Sequence, residues 1–315
     1  MRRWLCCAGI VSALMLSLCV CAAARELIPG GSTVGLQLDT QGVMIAETTE
    51  ACRAELMGGD RILRVDDTPV TSAAQVQNRI AAAEGAQVVL HLERNGKAMQ
   101  LLAPLTREGK LGVLVKDQMA GIGTVTYVDP HTGHCGCLGH GVSESGSGAL
   151  LPVSGGQVLP SQVVSVDKGK SGTPGRLNGA ALSMIPIGKV DKNTAQGVFG
   201  ILSQWDAQPV LSTADVSEIV AGPAVIRCCV AGAGVQEYDV EILELYPVQN
   251  ESGRDLLLRV TDPDLLNATG GIVQGMSGSP IIQDGKLVGA VTHVLVNDPT
   301  RGYGIFIENM LEAAE

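Results

Sequence analysis

The sequence is poor in aromatic side chains and in positive charge. It contains 2 Phe, 4 Tyr and 2 Trp, and its 22 Lys and Arg residues are outnumbered by 32 Asp and Glu residues, so the net charge is −10. Proteins that bind nucleic acids line basic side chains along the phosphates and stack aromatic rings on exposed bases. Both features are scarce here, so the composition argues against a nucleic acid as a partner.

Long apolar runs are absent beyond the first residues. Arg2 and Arg3 precede an apolar run at 4–20, and small residues follow at 22–24. This order is typical of an export signal, although the run is also just long enough to anchor the chain in a membrane. Residues 1–24 are therefore predicted to be a signal peptide or an N-terminal membrane anchor, with the remaining chain exported and close to a membrane.

Cysteines are few after residue 24, and their spacing is not that of a disulfide scaffold. Cys135 and Cys137 lie among three histidines within residues 131–140, but structural zinc sites usually combine two separated pairs of ligands. Alternation places these two thiols on one face of a strand as small buried residues, whereas the adjacent Cys228 and Cys229 point to opposite faces and should not bridge. We predict no metal and no cofactor.

Residues 31–107 have the order of elements of a small α+β domain. Ser72 and Gln75 form a capping-box pattern that opens a helix, and Val76 and Ile80 share one face of that helix. Two strand-like runs later in this segment are joined by Asn-Gly at 95–96, which is typical of a hairpin. The pattern therefore predicts one helix packed on a sheet.

Residues 110–315 consist of short strand-like runs separated by glycine turns. Helical periodicity is nearly absent until 309–314. Strands are predicted at 121–128, 135–138, 163–166, 180–186, 197–202, 224–230, 238–246 and 256–260. About ten short strands in one segment of this length indicate one or two closed barrels.

Ser277 lies in a glycine-flanked turn, G-M-S-G-S-P at 275–280, that precedes an apolar strand. Glycines allow a tight turn that brings successive N–H groups toward one point, where they can hold an oxyanion while a hydroxyl attacks a carbonyl. A Gly-Ser loop without chemistry is the plain alternative. Ser279 is the second hydroxyl of the block, but it directly precedes Pro280, so Ser277 is the favoured nucleophile.

A serine nucleophile needs a base, and the base needs an orienting group. His140, between two glycines at a strand end, is the best candidate base, and a surface turn residue is the alternative interpretation. Asp262 follows a strand shortly before Ser277, and Asp264 is the next candidate acid. His293 is interpreted as part of a substrate pocket, as a second base or as a half-buried polar residue. A histidine base at its ordinary pKa predicts activity that rises between about pH 6 and 7.

Two known families share motifs with this sequence. The G-D-R-I-L-R-V run at 59–65 resembles the G-D-x-I-x-x-V turn of bacterial PDZ domains. Further motifs resemble the stage IV sporulation protein B family of serine peptidases: L-G-H-G at 138–141, V-T-D at 260–262, the 270–280 block, G-A-V-T-H-V at 289–294 and V-N-D-P at 296–299. The order of export segment, PDZ domain and peptidase is similar as well.

This resemblance implies a mainly β protein, in which an N-terminal PDZ domain of α+β type (31–107) precedes a chymotrypsin-like double β-barrel peptidase domain (110–315). It implies a triad of His140 as base, Asp262 as its orienting acid and Ser277 as nucleophile. By analogy with the G-D-S-G-G-P block of chymotrypsin-like enzymes, the N–H groups of Gly275 and Ser277 form the oxyanion hole.

Met276 departs from the chymotrypsin pattern, because it stands where those enzymes carry an aspartate that captures a newly freed N-terminus. An ion-pair switch of that kind is therefore not expected.

The PDZ resemblance implies a peptide-binding loop at Val34, Gly35 and Leu36, beside a groove between the following strand and the helix that starts at Ala73. Its expected ligand is the chain's own N-terminus or a partner's C-terminus, and the alternative is a domain that serves only as a spacer. The peptidase resemblance implies self-cleavage within residues 25–31.

The same family resemblance implies a place and a partner. The expected location is the space between the forespore and mother-cell membranes. The expected substrate is a membrane-bound regulator of an intramembrane metalloprotease, whose cleavage triggers sigma-factor processing. The alternative function is a catalytically inactive PDZ-bearing scaffold or peptide-binding protein.

Overall fold

The computed structural model describes residues 24–144, 148–206, 208–247 and 253–315. The predicted export segment, residues 1–24, lies outside this part of the chain apart from Ala24. Within the described ranges, none of the helices has both the length and the apolar character needed to cross a membrane.

Strands make up most of the described chain. The first group is β1 (Glu26–Pro29), β2 (Thr33–Thr48), β3 (Arg61–Val65), β4 (Thr68–Pro69), α1 (Ala73–Ala81), β5 (Gln87–Arg94), β6 (Lys97–Pro104) and β7 (Val113–Val128). The second is β8 (His134–Cys137), β9 (Val153–Asp167), β10 (Arg176–Ala181), β11 (Gly188–Thr194), β12 (Gly197–Leu202) and β13 (Leu211–Ser212). The third is β14 (Gly222–Cys228), β15 (Gln236–Leu245), β16 (Leu256–Val260), α2 (Pro263–Thr269), β17 (Pro280–Gln283), β18 (Lys286–Leu295), β19 (Asp298–Phe306) and α3 (Ile307–Ala314).

The strands form two closed six-stranded barrels. In the first barrel the order is β7-β8-β12-β11-β9-β2, and the pairing of β2 with β7 closes the ring. In the second barrel the order is β14-β15-β16-β19-β18-β17. Alternate side chains point inward and fill each barrel, such as Leu38 and Val158 in the first and Ile242 and Leu258 in the second. This architecture is consistent with a chymotrypsin-like peptidase domain.

The two barrels share an apolar junction. Tyr127 from the first barrel packs in one buried cluster with Leu287 and Ile305 from the second and with Met310 of α3. The buried carboxylate of Asp255 accepts hydrogen bonds from the backbone of β19 and from the first turn of α3, which fixes the helix on this junction. The barrels are therefore held against each other, as a site between them requires.

A small α+β unit is inserted into the first barrel. This inserted unit (residues 43–115) contains β3 to β6 and α1, together with the end of β2 and the start of β7, and it has its own buried core. Ser72 caps α1 by accepting a hydrogen bond from the Gln75 backbone at 3.2 Å, and Asn95 and Gly96 turn the β5–β6 hairpin with φ of 50° and 73°. The predicted helix and hairpin are both confirmed.

The structure differs from the sequence-based prediction at the start of β2. Val34, Gly35 and Leu36 do not form a loop: Val34 is paired with Gly123 of β7 on one side and with Pro160 of β9 on the other. A strand bonded along both edges has no free groups for an added peptide strand, so these residues are not a peptide-binding loop.

The predicted division of the chain into 31–107 and 110–315 differs from the structure for the same reason. The first part of β2 belongs to the first barrel and the second part to the inserted unit, with a bend at Gly42, whose φ is 83°. One continuous strand therefore supplies side chains to two cores, and the first barrel begins before the inserted unit.

Candidate active site

Ser277 lies in a tight turn between α2 and β17, as its flanking glycines predict. Gly275 and Gly278 have φ of 99° and 94°, which side chains rarely adopt. A Cβ on Gly278 would lie 2.1 Å from the carbonyl oxygen of Thr124, so the first barrel also leaves no space for any other residue there. The turn therefore requires glycine for both backbone conformation and packing.

The first barrel holds this turn with hydrogen bonds from β7. The buried Thr124 hydroxyl donates to the Gly275 carbonyl at 2.8 Å, and the Thr124 N–H donates to the Ser277 carbonyl at 3.1 Å. The buried Thr126 hydroxyl donates to the Gly278 carbonyl at 2.8 Å. Nothing in the local sequence around either threonine indicated this role, because the bonds join residues about 150 positions apart.

Two backbone N–H groups of the turn are available as donors. Among the described residues, the N–H groups of Gly275 and Ser277 have no hydrogen-bond acceptor, whereas that of Met276 donates to the Val273 carbonyl at 3.1 Å. Two unpaired N–H donors in one tight turn beside a serine hydroxyl are what an oxyanion hole requires. The geometry is therefore suited to the predicted role of Gly275 and Ser277.

The two serines of the block differ in accessibility. Ser279 is fully buried, and its hydroxyl donates to the Met276 carbonyl at 2.6 Å. Ser277 is half-buried, faces a cavity and donates its hydroxyl to the Thr292 carbonyl at 2.7 Å. Only Ser277 can reach a substrate in this arrangement.

His140 follows β8 through an unusual backbone turn, in which Leu138 and Gly139 have φ of 70° and 68°. Its Nδ1 lies 2.9 Å from the Gly141 carbonyl oxygen. A carbonyl can only accept, so this contact assigns the proton to Nδ1 and leaves Nε2 as a free acceptor. Burial lowers the pKa of His140, which keeps the imidazole neutral at pH 7. This is the tautomer that a general base needs.

His293 lies next to His140, with the two ring centroids 5.0 Å apart. Burial, followed by the neighbouring His140 and Arg254, lowers the pKa of His293 to about 4. Its Nδ1 is buried without a hydrogen-bond partner among the described residues. A neutral imidazole with an unsatisfied nitrogen is available to bind a polar group of a ligand.

A cavity of about 520 Å³ brings these groups together. Its polar wall includes His140, Gly275, Ser277 and His293. The rest of the wall is mainly apolar and comes from both barrels: Leu36, Leu38, Met119, Ile122, Leu138, Ile272, Val273 and Val294. The structure therefore places His140, Gly275, Ser277 and His293 around one cavity at the junction of the barrels, together with Leu36, which was predicted to lie in a peptide-binding loop.

Asp262 is not part of this cavity. Its side chain caps α2: one oxygen accepts from the Asp264 and Leu265 N–H groups, both at 2.9 Å, and the other accepts from the Asp239 N–H at 3.3 Å. In the described part of the chain no hydrogen bond joins Asp262 to His140, whose Nδ1 is occupied by Gly141. Asp264 is exposed in the first turn of α2.

Asn193 is a site-supporting residue that the sequence-based reasoning missed. It lies near the end of β11, and its amide donates to the Val142 and Leu151 carbonyls at 2.8 and 2.9 Å and accepts from the Val142 N–H at 2.9 Å. These bonds fix the segment that follows His140. The contact joins residues 51 positions apart, so no local pattern could have indicated it.

The five cysteines in the described part of the chain are buried or half-buried free thiols. Cys135 and Cys137 are buried in β8 as predicted, and the hydrogen bond that the Cys137 thiol makes to Cys135, together with burial, raises the pKa of Cys137. Cys228 and Cys229 are also free, in agreement with the prediction that they do not bridge. Across the described ranges, no three His, Cys, Asp or Glu side chains come together as metal ligands.

Comparison with protein-family models gives a match to the family described as SpoIVB peptidase S55, over residues 107–311. The match includes the cavity residues of β7, His140, the turn with Ser277 and His293, and it starts after most of the inserted unit. Comparison with curated proteins gives no match.

Proposed function

Because the chain belongs to the SpoIVB S55 family and is a serine peptidase, we propose that it is an endopeptidase with Ser277 as nucleophile and His140 as general base. The observation that carries this proposal is the shared cavity, in which the Ser277 hydroxyl, a neutral His140 and two free backbone donors meet between the barrels. Nucleophile, base and oxyanion donors are the set that acyl transfer needs.

The reaction starts with rotation of the Ser277 hydroxyl away from the Thr292 carbonyl. His140 Nε2 accepts its proton while the oxygen attacks the peptide carbonyl, and the N–H groups of Gly275 and Ser277 stabilise the oxyanion. The imidazolium then protonates the leaving amine. Water, activated by the same nitrogen, hydrolyses the acyl enzyme.

The third predicted member, Asp262, stays a prediction. In the arrangement described here, the Gly141 carbonyl holds Nδ1 of His140, and Asp262 holds the start of α2. Since α2 leads directly into the nucleophile turn, we propose that Asp262 supports catalysis by positioning Ser277. To orient His140 as an acid, its carboxylate would first have to release three backbone N–H groups.

His293 is proposed to contact the substrate. Its unpartnered Nδ1 and its lowered pKa favour a hydrogen bond to an uncharged polar side chain or to the substrate backbone. A second base is less compatible with this geometry, because a pKa of about 4 makes the ring a weak proton acceptor.

The inserted unit is proposed to act as a PDZ domain, with its groove in a different place from the predicted one. A groove of about 970 Å³ lies between α1 and the first part of β7, lined by Val76 and Ile80 of the helix and by Val113 and Val115 of the strand. A helix and a strand edge that flank an apolar groove form the arrangement in which a peptide adds as an extra strand.

The biological role follows from family membership. We propose that the protein is exported into the space between the forespore and mother-cell membranes and cleaves a membrane-bound regulator of an intramembrane metalloprotease, which triggers sigma-factor processing. Self-cleavage within residues 25–31 has a structural requirement. β1 is paired with β13 and β7, and Leu27 is buried, so this strand must leave the sheet before it can be cut.

The test is the Ser277→Ala variant with the Ser279→Ala variant as matched control. We expect Ser277→Ala to abolish peptide hydrolysis and labelling by a mechanism-based serine inhibitor, while Ser279→Ala is still labelled. Unchanged hydrolysis by Ser277→Ala would refute the nucleophile assignment. Absence of hydrolysis and labelling in the folded wild type, together with peptide binding, would favour the inactive scaffold.

A further inference from the structure

The strand β7 has an open edge that runs from the inserted unit to the catalytic cavity. From Val113 to Gly123 its backbone pairs with β2 on one side, and β8 joins its other side only from Val125 onward. In the described ranges no other strand covers this edge. A long strand with unpaired N–H and C=O groups is a template for another strand.

Both cavities of interest lie on this same strand. Val113 and Val115 line the groove beside α1, and Met119 and Ile122 line the catalytic cavity. Between them, Asp117 accepts a hydrogen bond from the first N–H of α1 at 2.7 Å. Alternation places Asp117 on the same face as Val113 and Val115, so this bond fixes the helix on the face of the strand and leaves the edge open.

The two ends of this edge differ in charge. The groove end is lined by Arg107 and Lys110 against the single acid Glu108, which is 3.2 Å from Lys110. The catalytic end is mainly apolar. An extended peptide antiparallel to β7 would place its C-terminal carboxylate at the basic end and its upstream residues beside Ser277.

We infer that one substrate strand occupies both cavities, with the residues C-terminal to the scissile bond paired along β7 and a free, apolar C-terminus in the α1 groove. This inference rests on the proposed endopeptidase function. Met119 and Ile122 lie six and nine positions after Val113, about 20 and 30 Å at ~3.3 Å per residue of strand. The enzyme therefore selects substrates by the number of residues between the scissile bond and the C-terminus.

The experiment uses quenched fluorescent peptides with one scissile sequence, selected by the enzyme from a peptide library, followed by tails of three, eight or fourteen residues that end in Val. We expect the peptide with the eight-residue tail to have a kcat/KM at least tenfold higher than the peptide with the three-residue tail. Occupying two linked binding sites at once can raise affinity by this factor or more. Amidation of its C-terminus should remove most of this gain.

A variant pair on α1 provides the matched control. Gln77 lines the groove, whereas the adjacent Asn78 is exposed outside it. Gln77→Trp should fill the groove and reduce the ratio of long-tail to short-tail kcat/KM toward one, and Asn78→Trp should leave that ratio as in the wild type.

The outcomes separate this inference from the function on which it rests. If peptides with all three tails are cleaved with equal kcat/KM, whether the C-terminus is a carboxylate or an amide, the inference of one substrate strand in both cavities is refuted. The endopeptidase proposal then remains intact. Failure to cleave any peptide refutes both. The comparison of carboxylate with amide needs no variant, so it remains decisive if Gln77→Trp does not fold.

Discussion

The role of Asp262 can be tested with one pair of substitutions. As a helix cap, its carboxylate accepts two backbone hydrogen bonds at the start of α2, and it accepts a third from Asp239 of β15. Asn caps helices about as well as Asp, whereas Ala at this position costs about 1 kcal/mol, within a range of about 0.5–2 kcal/mol. Asp262→Asn should therefore keep kcat/KM within about threefold of the wild type.

Asp262→Ala should lose more, because the loosened α2 leads into the nucleophile turn. If the full cost of about 1–2 kcal/mol acts on the turn, kcat/KM falls about 5- to 30-fold. The same cost lowers Tm by about 2–8 °C in a protein of this size. Hydrolysis of a fluorogenic peptide and thermal unfolding measure the two effects in the same samples, with the exposed Asp264→Asn as control.

If Asp262 instead orients His140, the Asn variant should lose most of its activity without losing stability. Replacing the aspartate of a Ser-His-Asp triad by asparagine lowers kcat by about 10⁴ through the wrong histidine tautomer, equivalent to about 5.4 kcal/mol. A loss of that size in Asp262→Asn, with an unchanged Tm, would refute the cap interpretation. The two interpretations differ by more than three orders of magnitude in the Asn variant, so the assay does not depend on fine precision.

Further predictions concern the base and its supports. Because burial lowers the pKa of His140, kcat/KM should rise with pH and reach half its maximum below the ordinary histidine value of 6.5, and a midpoint at or above 6.5 would contradict this. The free energy of unfolding should fall as pH drops from 6.5 toward 4, because His140 and His293 bind protons more readily in the unfolded chain. A free energy of unfolding that stays constant over this pH range, measured by chemical denaturation, would exclude this coupling. Asn193→Ala should lower kcat/KM by about 5- to 150-fold, because the segment after His140 loses three hydrogen bonds. Asn193→Asp should be no better, since a carboxylate cannot donate to two carbonyls, and full activity of either variant in peptide hydrolysis would refute this role. Thr126→Val should destabilise the protein by about 1–3 kcal/mol, because it leaves the Gly278 carbonyl unpaired. Denaturant unfolding measures this loss of stability, and Thr126→Ser, which keeps the hydroxyl, should retain most of the wild-type stability. Equal stability of the Val and Ser variants would exclude a stabilising role of the bond.

Local patterns predicted much of the fold. The alternating run at 256–260 and the Asn-Gly hairpin at 95–96 occur where they were expected, because pleat and turn geometry are encoded over a few residues. The helix α2 was missed because it has only seven residues, too few for a clear period. The predicted strand at 180–186 ends at Ala181.

The first part of β2 shows why a domain boundary is harder to predict. Val34, Leu36 and Leu38 alternate as in any half-buried strand, but alternation does not tell which sheet the strand joins. The partners of this strand come from residues 113–124 and 153–160, and only folding brings them together.

For the candidate site, the sequence determined the groups with special chemistry or backbone requirements. A serine between glycines and a histidine at a strand end carry local signals, because only a few residue types allow those turns and that chemistry. The family match supports the same assignment of peptidase class.

Only the tertiary structure decided which groups meet. In the folded chain His293 packs against His140, and the buried threonines of β7 donate hydrogen bonds to the Ser277 turn. Asp262 caps the start of α2. Contacts, burial and hydrogen bonds between distant residues depend on the closure of the two barrels. The sequence therefore specified the reactive groups at Ser277, and the packing of the barrels determined what surrounds them.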